Sequence, residues 1–113
     1  MNRRELGRAG EDAAVAYLTE RGFQIVGRNV RLGNRGEIDV VARDGETIVF
    51  VEVKARQSQR FGSAATAVDA RKRRTLRKLA AEWLQLFAPQ SFARFDVLAA
   101  DGERFRYYRD AFQ

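Results

Sequence analysis

Histidine and cysteine are both absent from these 113 residues, and proline occurs once. Their absence excludes zinc ribbons, zinc fingers, thiol nucleophiles, Ser-His-Asp triads and every imidazole base. No disulfide can form, which points to a reducing cytoplasm. Long apolar runs are lacking too. The most strongly apolar one, Ile48 to Val51, is far too short to span a membrane. Met1 to Gly10 is charged and has no apolar core, so no secretory leader is expected. Any chemistry must therefore use carboxylates, Lys, Arg, hydroxyls or a hard metal.

What the chain has in excess is positive charge. Lys and Arg number 21 against 15 Asp and Glu, a net charge of +6. A polyanion is the first partner to consider, although a basic surface also serves simple solubility. The length fits one domain, residues 1–113, and the 45% hydrophobic content suits a folded core.

Periodicity predicts helix, three strands, helix, two strands. Leu6 to Arg21 carries Ala9, Gly10, Ala13, Ala14, Tyr17 and Leu18 at helical spacing, and Gly22 stands where a left-handed C-cap belongs. Gly7 and Gly10 would let this helix approach a neighbour closely. Strands are expected over Phe23 to Arg31, Glu37 to Arg43 and Thr47 to Arg56, with turns at Gly33 to Gly36 and at Asp44-Gly45. Asp69 is the expected N-cap of a helix reaching Phe87, with an apolar stripe of Leu76, Leu79, Ala80, Trp83, Leu84 and Phe87. Pro89 ends it. A hairpin over Phe92 to Ala100 and Arg104 to Tyr108 turns at Asp101-Gly102.

Charged residues interrupt the most apolar part of the chain. Asp39 lies between Ile38 and Val40, and Glu52 between Val51 and Val53, with Lys54 next on the same face. Charge in a central strand is costly unless paired, bound to metal or at a rim. With Asp44-Gly45 as a two-residue turn, Asp39 faces Phe50 and Glu37 faces Glu52. Asp39 and Glu52 are then diagonal neighbours, roughly 7–8 Å apart. Such carboxylates suit Mg²⁺ or Mn²⁺ with phosphate oxygens, and Lys54 would orient water or stabilise phosphate charge. Without a metal, Glu52 and Lys54 would be an ordinary ion pair. Glu11, at the margin of the first helix's apolar face, either joins the cluster or is a solvated acid.

These residues resemble a known pattern. Asp39 followed by Glu52-Val53-Lys54 resembles the PD-(D/E)xK nuclease signature of restriction-endonuclease-like and Holliday-junction-resolvase-like proteins. More closely, the chain resembles the YraN family of small bacterial proteins. The matching pieces are Gly10-Glu11, Arg28-Asn29-x-Arg31, Gly36-Glu37-Ile38-Asp39, Phe50 to Arg56, Phe61-Gly62, Lys72, Arg94 to Val97 and Asp110-Ala111-Phe112. No Pro precedes Asp39, where Ile38 stands instead. The resemblance implies an α/β, restriction-endonuclease-like αβββαββ core, a mixed central sheet flanked by helices. It also implies Asp39 and Glu52 as metal ligands with the Val53 carbonyl a third, Lys54 as catalytic lysine and Glu11 as an additional catalytic acid.

Arg71, Lys72, Arg73, Arg74, Arg77 and Lys78 crowd the start of the second helix, where cations oppose the macrodipole. Lys72, Arg74 and Arg77, with Arg31, Arg56 and Arg60, are the candidate nucleic-acid contacts. Phe105, Tyr107 and Tyr108 either stack bases or, as alternation favours, belong to core or interface. Asp96 is expected to pair with an Arg as a structural group. Three functions follow: a nuclease acting on structured or branched DNA, a non-catalytic nucleic-acid-binding module, and a recruitment protein in a DNA-processing assembly. DNA is favoured over RNA, no membrane is involved, and a homodimer is expected.

Overall fold

The computed structural model describes residues 3–56, 70–101 and 104–112. Asp69, the loop with Arg60, Phe61 and Gly62, and the Gly102 turn position lie outside the described residues. The elements are α1 (Arg3–Glu20), β1 (Gln24–Arg31), β2 (Glu37–Asp44), β3 (Thr47–Arg56), α2 (Ala70–Phe87), β4 (Phe92–Asp101) and β5 (Arg104–Phe112). This order matches the periodicity, with small shifts at the ends.

The strands form one mixed sheet in the order β1-β2-β3-β4-β5. β3 and β4 run parallel, joined by α2, while the remaining neighbours are antiparallel. β3 lies at the centre, and its run Ile48, Val49, Phe50 and Val51 is buried on both faces. That double burial explains why it reads as continuous apolar sequence rather than alternation. α1 covers one face through Ala14 and Leu18, which pack with Val40, Ala42, Val49, Val51 and Leu98. α2 covers the other through Leu76, Leu79, Ala80 and Trp83. Trp83 meets Phe50 edge-on at 5.8 Å between ring centroids. Among the described residues no helix is long and apolar enough to cross a membrane.

The end of α1 follows from Gly22, which takes φ 85°. The Gly22 N–H donates to the Thr19 carbonyl and the Phe23 N–H to the Leu18 carbonyl. That pair of bonds is a Schellman cap, and only glycine enters the left-handed region without strain.

The β2–β3 turn corrects the expected register. Asp44 pairs with Thr47 and Val40 with Val51, so the loop is Gly45-Glu46 and not Asp44-Gly45. Gly45, at φ 61°, supplies the positive φ at the first loop position, as in a II′ turn. The shift is two residues, so side chains keep their faces. Asp39 now falls level with Glu52 instead of with Phe50. Phe87 also departs from expectation. It is 63% exposed, its ring lying 5.2 Å from that of Trp83.

Gly10 is the closest approach of α1 to the sheet. A Cβ there would lie 2.7 Å from Val53 Cγ1. Gly10→Ala gains about 1 kcal/mol of helix propensity but forces about 1–3 kcal/mol of overpacking against a stiff β-branched side chain. The expected result is a net loss near 1 kcal/mol in urea denaturation. A stabilised variant would show that α1 lifts freely from β3.

On the α1 side, Asp96 is fully buried and paired as expected. Arg94 Nε donates to Asp96 Oδ1 at 3.1 Å, the Asp110 N–H donates to Oδ1 at 2.8 Å, and the Tyr107 hydroxyl donates to Oδ2. Arg94 also reaches Asp44 at 3.3 Å. Tyr107 stacks on Tyr17 at 4.2 Å, and Tyr108 packs against the α2-side core. Both tyrosines thus serve the core, while Phe105 remains 47% exposed.

Candidate functional site

The site lies where the β2–β3 ladder gives out beneath the start of α2. The last described backbone pair is Val40 with Val51. Beyond it the Asp39 side chain takes over, with the Val53 N–H donating to Asp39 Oδ2 at 2.8 Å. Glu52, one residue along, is only 5% exposed. Its Oε1 lies 2.6 Å from Lys72 Nζ and 3.4 Å from Lys54 Nζ. Its Oε2 is buried and has no hydrogen-bond partner among the described residues. An open cavity of about 430 Å³ leads to these carboxylates. Arg35, Gly36 and Glu37 line one wall, and Arg71, Lys72, Thr75, Leu76 and Leu79 line the other.

Burial and mutual repulsion dominate the electrostatics. Asp39 is pushed up to about 7, first by burial and then by the neighbouring Glu52 charge, against the opposing Val53 N–H. The more distant Glu11 charge adds to the same shift. Lys54 is lowered, chiefly by burial and then by its Lys72 neighbour. Burial would lower Lys72 as well, but the Glu52 carboxylate outweighs it and holds the ammonium above its usual range. One lysine is thereby eased toward neutrality while the other stays charged.

The raised Asp39 has a consequence for stability. A carboxyl that binds its proton more tightly when folded stabilises the fold fully below its unfolded value, near 4. That contribution is lost as pH rises through about 7. In chelator, the protein is therefore expected to lose about 2 kcal/mol between pH 5 and pH 8 from this group. Asp39→Asn keeps an acceptor for the Val53 N–H but carries no charge. Its urea midpoint should stay flatter over that interval. A variant profile parallel to the native one would contradict the assignment.

The expected site residues divide into groups. Asp39, Glu52, Lys54 and Lys72 come together. Glu11 sits on α1, just after the Gly10 contact with Val53, and ion-pairs with Arg28 at 3.6 Å. Its charge is near enough to act on Asp39. Arg31 is exposed and pairs with Glu37 at 2.9 Å. Arg74 and Arg77 lie on the outward face of α2, away from the cavity. Arg56 continues β3 beside Asp101 and is described by its backbone alone.

Sequence reasoning missed Arg35, Glu37 and Arg71 as cavity walls, and the Arg35–Glu82 ion pair. It also grouped Lys72 with the surface cations. The helical phase held the signal, since Lys72 precedes Leu76, Leu79 and Trp83 by four, seven and eleven residues on the buried face.

Comparison with known proteins places the chain. The pattern of the family described as "Uncharacterised protein family UPF0102" matches residues 10–100. The chain belongs to the UPF0102 family. A UPF0102 protein of Halorhodospira halophila is 44% identical over 110 residues, 97% of this chain and 88% of its own. One from Frankia casuarinae is 50% identical over 94 residues, 82% of this chain and 79% of its own. One from Thermodesulfovibrio yellowstonii is 38% identical over 112 residues, 99% of each chain. The resemblance to the YraN family, which is UPF0102, is thereby borne out. The UPF0102 match spans Glu11, Asp39, Glu52, Lys54 and Lys72.

Proposed function

We propose that this domain is a metal-dependent nuclease, hydrolysing phosphodiester bonds in nucleic acid, with structured or branched DNA as its substrate class. The reading takes the element order and the mixed sheet as a restriction-endonuclease-like core. The observation that carries it is Glu52, a buried carboxylate with one oxygen unpartnered among the described residues, set beside a second carboxylate that burial and repulsion keep from ionising freely.

Asp39 and Glu52 fit a hard divalent cation. Both offer oxygen donors, and Mg²⁺ takes one or two carboxylates, completing its shell with water and phosphate oxygens. When bound, such a cation polarises the phosphodiester and acidifies the attacking water. The chain's own residues do the rest. Asp39 is held in place by the Val53 N–H. Lys54, its proton loosened by burial, accepts a proton from the attacking water or orients it. Arg35 and Arg71 at the cavity walls meet the incoming phosphates. Arg74 and Arg77 offer a further backbone-tracking surface on α2, and Arg31 another beyond Glu37. A homodimer would widen the footprint on a duplex.

One observation favours a second reading, a non-catalytic nucleic-acid-binding module. Among the described residues no three Asp or Glu side chains converge as a ready metal cluster. Labelled linear, single-stranded and branched DNA, with structured RNA, would separate the two. With Mg²⁺ or Mn²⁺ the nuclease reading expects strand cleavage, fastest on branched DNA and absent in chelator. Binding to these substrates without cleavage under any metal would transfer the assignment to the binding module.

A further inference from the structure

The basic run at the head of α2 is divided by the fold. Arg74, Arg77 and Lys78 face outward, whereas Lys72 turns in and sets Nζ 2.6 Å from Glu52 Oε1. At that distance from a carboxylate only 5% exposed, the contact is a charge-assisted bond with little screening. Lys54, at 3.4 Å from the same oxygen, is the looser partner.

A divalent cation needs this same carboxylate. Even through Oε2, which the lysines leave open, it would bind against an ammonium on the same carboxylate, and like charges in a poorly solvated site repel strongly. The two lysines also differ in exposure. Lys54 projects from the central strand and its side chain is 20% exposed. The Lys72 side chain is 41% exposed and lines the cavity wall. The side of Lys72 that faces the cavity opens to solvent, or to a phosphate, without packed core between.

We propose that Lys72 is a built-in counter-cation for Glu52, a positioning residue whose ammonium competes with a divalent metal for the Glu52 carboxylate. The proposal rests on reading Asp39 and Glu52 as metal ligands. In the metal-free protein Lys72 is the closer of two ammonium partners for a carboxylate buried beside Asp39. That occupancy lowers metal affinity, because the metal binds against the ammonium's charge unless Lys72 has been released. A phosphate that attracts Lys72 would raise that fraction.

Calorimetric titration of Mn²⁺ into the metal-free full chain tests this without reference to cleavage. The proteins compared are native, Lys72→Met, Lys72→Arg, Arg71→Met and Glu52→Gln. Lys72→Met is expected to bind Mn²⁺ about tenfold more tightly than the native chain. Lys72→Arg, which keeps the cation, should stay within about threefold of native. Arg71→Met removes an equal charge from the same cavity but not from Glu52. Its effect should be well below that of Lys72→Met, which separates displacement from the general field. Glu52→Gln should abolish the binding.

Equal or weaker Mn²⁺ affinity in Lys72→Met, with binding still lost in Glu52→Gln, would overturn the counter-cation and leave the metal site standing. An equal gain in Arg71→Met would overturn it also. Absence of Mn²⁺ binding in every protein would overturn both.

Discussion

Glu52→Gln is expected to reduce metal-dependent cleavage by a factor on the order of 10³ or more while leaving DNA affinity within about threefold of native. The substitution keeps the shape of the side chain and removes its charge. Glu52 is the most buried acid of the site, and its Oε2 has no partner to lose. An amide ligates a divalent cation far less well than a carboxylate, and it leaves Lys72 and Lys54 facing each other without the anion between them. DNA affinity should persist, because it depends on phosphate contacts from exposed cations such as Arg74 and Arg77. The slope of log affinity against log salt should therefore be unchanged. Cleavage rates measured at saturating DNA, beside binding by fluorescence anisotropy, check both parts. A variant that cleaves at the native rate would remove Glu52 from the mechanism.

Asp96→Ala should cost about 3–5 kcal/mol of stability, a large share of what a domain of this size possesses. Asp96 is fully buried, and its oxygens receive Arg94 Nε, the Tyr107 hydroxyl and the Asp110 N–H. Removing the carboxylate leaves the Arg94 guanidinium, 11% exposed, with Asp44 as its remaining acid. It also frees the bulged end of β5, where the β4–β5 register shifts and Asp110 takes φ 53°. Tyr107→Phe deletes one donor and should cost only about 1 kcal/mol. Urea denaturation gives both values. The folded fraction of Asp96→Ala should retain metal-dependent cleavage, since the network lies on the α1 side of the sheet, away from the cavity. Loss of activity with stability intact would make Asp96 part of the site.

The sequence carried much of this arrangement, for identifiable reasons. Helix periodicity, the Gly22 cap and the apolar β3 run are local signals, and each element formed where they stand. The pairing of Asp96 with Arg94 was also legible, because a buried acid requires a nearby cation. The hairpin register was not. Both Asp44-Gly45 and Gly45-Glu46 are plausible loops, and the choice depends on whether glycine's positive φ falls first or second in the turn. That two-residue difference moves Asp39 from the level of Phe50 to that of Glu52. The basic run on α2 was legible as a cluster but not in its division. The phase of Leu76, Leu79 and Trp83 sets Lys72 on the inward face, and the contact with Glu52 then separates it from Arg74. Phe87 illustrates the opposite failure. It shares the apolar stripe, yet it stays 63% exposed.

The central claim is hydrolysis of a phosphodiester at the Asp39–Glu52 site. Single-turnover cleavage of a labelled branched DNA in heavy-oxygen water, with Mg²⁺ and then with chelator, addresses it most directly. The account expects one heavy oxygen in the terminal phosphate of the product, formed only with metal and lost in Glu52→Gln. Strand cleavage without incorporation, or cleavage that persists in chelator or in the variant, would contradict it.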